Sequence, residues 1–162
     1  MNFLRKAMIR YKADRILKRM GITHPPVCPQ TIAEALYFRV LFVDFRGDDM
    51  NDVLGFYDPA DKTIYVSKAS TPREMQMTIA TELGKALLFP KWCADAAEYR
   101  ILKRSGERKR EEFESGWFAT CLLVPRRWIV DLQRYAAMKE LETVFVADRA
   151  QIMRSLARAN GD

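Results

Sequence analysis

The chain has 162 residues, a net charge of +6 and a pI of about 9.3, with 49% hydrophobic and 30% charged residues. This length fits one domain with a sizeable core, and the sequence has no apolar run of about 18 residues that could cross a membrane. The charged N-terminal segment does not resemble a secretory signal, and an odd number of widely spaced cysteines, Cys28, Cys93 and Cys121, predicts free thiols in a reducing cytoplasm.

The first predicted element is a basic amphipathic helix over residues 2–20, which ends at Gly21. Its apolar positions recur at helical spacing and would share one face: Ile9, Ala13, Ile16, Leu17 and Met20. A proline-rich connector follows, and Pro29 suits the first turn of a short helix over about 29–37.

A small sheet is predicted over residues 37–67. The β-branched and aromatic stretch "YFRVLFVDF", residues 37–45, is typical of a strand. The segments "VLGFYD" and "KTIYVSK" flank a turn at Pro59, so the three segments predict an antiparallel sheet of three strands.

The rest of the chain is predicted to be helical. Thr71 and Glu74 form a capping box around Pro72, which starts a helix over 72–89. Further helices are expected at about 93–104, 107–123, 126–140 and 148–158. The predicted architecture is an α+β domain, a small sheet embedded among helices.

Six blocks of the sequence, in order, resemble the ImmA/IrrE family of metallopeptidases. They are "GITHPPV", "TIAEALYFRVLFVDF", "DKTIYVS", "REMQMTIATELGKALL", "EEFESGWFATCLLVP" and "FVADRAQIMRSL". The resemblance implies a single zincin-like domain over residues 1–162, whose helix 72–89 corresponds to the zinc-binding helix.

In that family the helix carries the pattern His-Glu-x-x-His, in which both histidines hold zinc and the glutamate activates water. Here Thr81 and Lys85 take the histidine positions, while Glu82 keeps the general-base position. The resemblance further assigns a third ligand to Glu114, with Glu112 as the alternative.

Zinc chemistry is not expected at this place. Threonine is a poor ligand, a lysine ammonium has no lone pair, and the chain has one histidine, His24. We therefore expect no metal and no cofactor. One hypothesis is that the Lys85 ammonium replaces the metal charge and bridges Glu82 and Glu114. The alternative is that Lys85 extends to solvent and Glu82 is an ordinary exposed helix residue.

The densest basic run, "YRILKRSGERKRE", is a candidate patch for phosphate or acidic surfaces, although a solvated helix hairpin explains it equally well. Its basic residues are Arg100, Lys103, Arg104, Arg108, Lys109 and Arg110.

The resemblance implies a regulatory role, since family members typically cut a helix-turn-helix repressor on phages and mobile elements. Without the metal ligands, the sequence favours a pseudo-peptidase that binds such a protein without cutting it, as an anti-repressor or adaptor. One alternative is a metal-independent hydrolase using Glu82 and Lys85. Another is a nucleic-acid-binding module using the basic helices.

Overall fold

A computed structural model describes residues 1–46, 53–90 and 107–157, without the side chains of 107–109. The described part is an α+β fold, as predicted. Its helices are α1 (Phe3–Arg19), α2 (Pro29–Ala35), α3 (Pro72–Leu88), α4 (Glu107–Leu123), α5 (Arg126–Leu132), α6 (Met138–Phe145) and α7 (Arg149–Leu156). Its strands are β1 (Arg39–Val43), β2 (Gly55–Asp58) and β3 (Thr63–Ser67).

The sheet is mixed, and the prediction of an all-antiparallel sheet was wrong for β1. The strand order is β1-β3-β2, with β2 antiparallel to β3 and β1 parallel to it. A tight turn joins β2 and β3 into an antiparallel hairpin. β3 lies at the centre of the sheet, between β1 and β2, and β1 runs parallel to it. The central position of β3 agrees with the burial of both of its faces.

The predicted helix over 126–140 was also wrong, because this segment forms two helices. The amides of Tyr135 and Ala136 both bond to the carbonyl of Leu132, which closes a turn after α5. The Glu140 carboxylate then accepts a bond from the amide of Ala137, which starts α6. No proline or glycine marks this break.

Another predicted helix, over residues 93–104, lies outside the described residues.

The core is built around the packing of α3 on α4, with α1 lying against α4. Gly84 is the point of close approach: a Cβ there would lie 2.9 Å from Phe118 Cδ1 and 3.2 Å from the carbonyl oxygen of Ser115. This contact brings the middle of α3, with Glu82 and Lys85, against the first half of α4.

Replacing Gly84 with alanine is expected to destabilise the protein by about 1–3 kcal/mol, because the added methyl group overpacks the helix contact. Gly116→Ala is the matched control on α4, since a Cβ there meets nothing within 4 Å. That control should be neutral or stabilising by up to about 1 kcal/mol, because alanine favours the helix over glycine. Chemical denaturation of both variants measures the difference, and equal stabilities would contradict the close contact.

Candidate functional site

The helix that carries the peptidase-like motif is fixed at its start by its cap. The Thr71 hydroxyl accepts a bond from the Glu74 amide, and the Glu74 carboxylate accepts one from the Thr71 amide at 2.7 Å. The backbone hydrogen bond from Thr71, followed by that of its side chain, lowers the pKa of Glu74. This capping box sets the start of α3, and hence where residues 81–85 lie along it.

Glu82 is buried between α3 and the sheet. Its Oε1 accepts a bond from Lys85 Nζ at 2.6 Å, and its Oε2 accepts one from the backbone amide of Tyr57 at 3.1 Å. Both carboxylate oxygens therefore accept bonds from within the protein, and the side chain is only 5% exposed.

The Tyr57 amide belongs to the outer edge of the sheet. The Ser67 amide donates to the carbonyl of Leu54 at 2.8 Å. Counting on from Leu54 in steps of two, the backbone polar groups of Phe56 and Asp58 point toward β3. The alternation leaves Gly55 and Tyr57 with their backbone polar groups facing outward. Glu82 thus satisfies an edge amide that an added strand would otherwise use.

The hypothesis that Lys85 bridges Glu82 and Glu114 is right for Glu82 and wrong for Glu114. Lys85 pairs with Glu82, whereas Glu114 pairs with arginines. The side chain of Lys85 is 17% exposed. The solvated alternative, with Lys85 extended into water and Glu82 exposed, is likewise wrong. Thr81, one helical turn earlier, is half-buried.

Glu114 is neutralised by arginines instead. Its Oε2 accepts bonds from Arg5 Nε at 2.9 Å and Arg5 Nη2 at 2.7 Å, and its Oε1 accepts one from Arg110 Nε at 3.0 Å. Burial acts to raise the pKa of Glu114, but the hydrogen bonds from Arg5 and then Arg110 outweigh it, so the pKa is lowered overall. Two guanidinium groups therefore form ion pairs with one buried carboxylate.

The acidic residues of α4 face different directions. Glu112, the alternative ligand of the sequence analysis, is exposed, whereas Glu111 is buried. Ser115 and Phe118, which approach Gly84, come four and seven residues after Glu111. Glu111 therefore lies on the face of α4 that meets α3, while Glu114 turns toward α1.

Sequence reasoning overlooked Glu111, although its spacing from the apolar residues of α4 could have indicated its position. It also overlooked Arg5, for which no signal exists, because 109 residues separate it from Glu114.

Several contacts hold α1 against α3 and α4. Trp117 Nε1 donates to the carbonyl of Lys6 at 3.2 Å, and Arg10 lies over the indole ring with its guanidinium carbon 5.6 Å from the centroid. Lys12 Nζ donates to the carbonyl of Leu87 at 2.6 Å, near the C-terminal end of α3. Burial, followed by the nearby charge of Arg5, lowers the pKa of Lys12.

These residues do not fit the zinc ion that the peptidase resemblance would place here. The Lys85 ammonium is held by Glu82, and both Glu114 oxygens are held by guanidinium groups, so these positions offer cations instead of free lone pairs. Within residues 1–46, 53–90 and 107–157, no group of three or more His, Cys, Asp or Glu residues could hold a metal ion.

Most of the candidate basic patch lies outside the described residues. Arg100, Lys103 and Arg104 lie outside the described residues, as does Cys93, and the side chains of Arg108 and Lys109 are not described. Arg110 is exposed and pairs with Glu114. Of the helices in the described part of the chain, none has the length and apolar character to cross a membrane.

This chain is similar to known proteins both in sequence, through a family model, and in fold, through a solved structure. The family model of the IrrE N-terminal-like domain, Peptidase_M78, matches residues 34–157. A solved structure described as a Mycobacterium tuberculosis transcriptional regulator matches with a TM-score of 0.69 at 17% identity, over 96% of this chain. The match covers 48% of that structure, so the chain spans about half the regulator's length. No curated protein gives a significant match.

Proposed function

Because the chain belongs to the family of IrrE N-terminal-like domains, we propose that it is a pseudo-peptidase, a protein-binding regulator that holds its partner without cutting it. The proposed partner is a helix-turn-helix repressor, and the effect on it is that of an anti-repressor or adaptor. The fold shared with a transcriptional regulator supports a regulatory setting.

The observation that carries the proposal is the buried pair of Lys85 and Glu82. In a working site, the glutamate must present a lone pair to a metal-bound water, and the residue at position 85 must ligate the metal. Here the ammonium lies 2.6 Å from the would-be base, and the base also accepts the Tyr57 amide. These contacts support a structural role for Glu82.

The same contacts argue against the metal-independent hydrolase. A general base needs access to the proton it removes, and Glu82 is 5% exposed with both oxygens engaged. The nucleic-acid reading gains no support from Arg110, the described member of its patch, because that side chain pairs with Glu114.

We place the partner's binding groove beside α3. The edge of β2 is closed to strand addition at Tyr57, so an extended segment of the partner would have to pair with the other edge strand, β1. Binding would then use the exposed surfaces around α3 and β1, away from the buried carboxylates.

The test needs a helix-turn-helix repressor as the candidate partner, and the first to try is any such protein encoded beside the gene for this chain. We expect the two proteins to co-elute on size exclusion and the intact mass of the repressor to stay unchanged after prolonged incubation. Elemental analysis of the purified chain should show less than stoichiometric zinc after dialysis against zinc.

Other outcomes separate the alternatives. Repressor cleavage that EDTA abolishes would overturn the proposal in favour of a metallopeptidase. Cleavage that survives EDTA and is lost in Glu82→Gln would favour the hydrolase. A repressor that neither binds nor is cut would remove the proposed partner.

A further inference from the structure

The outer side of α1 carries a second apolar row, which the core does not use. Leu4, Met8 and Tyr11 are 71%, 61% and 64% exposed. Their spacing of four and three residues places them along one helix face, while Ile9, Ala13 and Leu17 on the other side are buried. An exposed row of large apolar side chains at helical spacing is typical of an interaction surface.

The helix that carries this row is strongly basic. Residues Phe3–Arg19 contain seven basic residues and one acidic residue, so α1 carries a charge of +6, equal to the net charge of the whole chain. Arg15 lies over the Tyr11 ring, with its guanidinium carbon 5.9 Å from the ring centroid. Cations therefore lie next to the apolar row itself.

A hollow of about 510 Å³ lies at the N-terminal end of the row, between α1 and the start of α4. Leu4 and Met8 line it from α1, and Arg110 and Glu114 line it from α4. Arg5 also lines it, so among the described side chains around the hollow two guanidinium groups face one carboxylate, an excess of one positive charge.

We propose that this face is a docking surface for an acidic amphipathic helix of a protein partner. The partner's apolar side chains would pack along Leu4, Met8 and Tyr11, one of them entering the hollow. Its carboxylates would meet the flanking cations, including the unmatched charge beside Glu114. The inference does not depend on the proposed function, because it concerns α1 and not the α3 groove.

Two features favour this occupant over other anionic surfaces. A nucleic acid backbone would use the cations but would leave the apolar row in water. A flat anionic membrane would cover the row but would not fill a concave hollow. An amphipathic helix uses the row, the cations and the hollow together.

The probe is a synthetic, fluorescein-labelled peptide of about 18 residues, with leucines at helical spacing and glutamates on the other face. The control probe has the same composition in a scrambled order. We expect the amphipathic peptide to bind by fluorescence anisotropy at least about tenfold more tightly than the scrambled one, equivalent to about 1.4 kcal/mol. Its affinity should fall as salt is raised.

Met8→Glu should weaken binding of the peptide at least about tenfold, because it places a carboxylate in the apolar row. Tyr11→Glu tests the same row independently, and circular dichroism checks that each variant is folded. Met153→Glu is the matched control, since Met153 is 47% exposed on α7, outside this surface. It should change the affinity less than about twofold.

Three results would overturn the proposal. The scrambled peptide binding equally well would reduce the surface to a charge effect. Unchanged affinity in folded Met8→Glu and Tyr11→Glu would remove the row from the site. Binding of duplex DNA or phosphatidylserine vesicles, with no binding of the amphipathic peptide, would assign the face to those ligands.

Discussion

Replacing Lys85 with alanine is expected to lower the free energy of unfolding by about 2–4 kcal/mol, because it leaves the Glu82 carboxylate buried without its cation. The substitution removes a cation 2.6 Å from a carboxylate that is only 5% exposed, and the loss of a charge partner is costly at a position so poorly solvated. The melting temperature should fall by about 5–10 °C, measured by differential scanning fluorimetry.

Two comparisons separate the buried pair from the general loss of a lysine. Lys68→Ala removes an exposed lysine that lies 3.6 Å from Asp44, and should cost less than about 1 kcal/mol. The double variant Glu82→Gln, Lys85→Met removes both charges and should be more stable than Lys85→Ala. An unchanged melting temperature in Lys85→Ala would contradict the structural role given to this pair.

The second large effect is expected at Glu114 and depends on pH. Glu114→Gln should cost about 2–3 kcal/mol at neutral pH, because it removes the charge that Arg5 and Arg110 share in a nearly fully buried position. The guanidinium groups can turn partly to solvent, which limits the loss.

The sign of the pH dependence follows from the lowered pKa of Glu114. A carboxyl whose pKa is lower in the folded state stabilises the protein fully above its unfolded pKa of about 4.3, and loses that contribution as the pH falls through its folded pKa. The stability gap between wild type and Glu114→Gln should therefore be largest near pH 6–7 and shrink toward about pH 3.

Urea denaturation at several pH values measures this gap. Glu112→Gln is the matched control, because Glu112 lies on the same helix but is exposed, and its gap at neutral pH should be smaller than that of Glu114→Gln. A gap for Glu114→Gln that stays constant below about pH 4 would show that the Arg5 and Arg110 contacts do not stabilise the charged form.

Local signals predicted much of this fold. The helix over 72–89 was visible because its cap and its end are both encoded within a few residues, at Thr71 and Pro90. The strand order was not visible, since nothing in the segments themselves shows that β3 lies between β1 and β2. The split between α5 and α6 was missed because hydrogen bonds at Leu132 and Glu140 make it, without proline or glycine.

In the candidate site, too, contacts within one helix could be predicted from the sequence, and contacts between distant segments could not. Lys85 and Glu82 are three residues apart on one helix, so their pairing could be anticipated from spacing alone. One partner of Glu114, Arg110, is four residues away on the same helix, but the other, Arg5, comes from α1, and only the packing of α1 on α4 reveals it. The direction in which each α4 glutamate faces likewise depends on that packing.

The way these charges are shared also determines what a metal site at this place would require. Two of the buried carboxylates pair with different cations, Glu82 with Lys85 and Glu114 with Arg5 and Arg110. Histidines introduced at positions 81 and 85 would leave Arg5, whose guanidinium cannot give up its proton, against Glu114. Arg5 comes from a helix that precedes the region matched by the family model, so freeing Glu114 as a metal ligand would require changes in two separate parts of the chain.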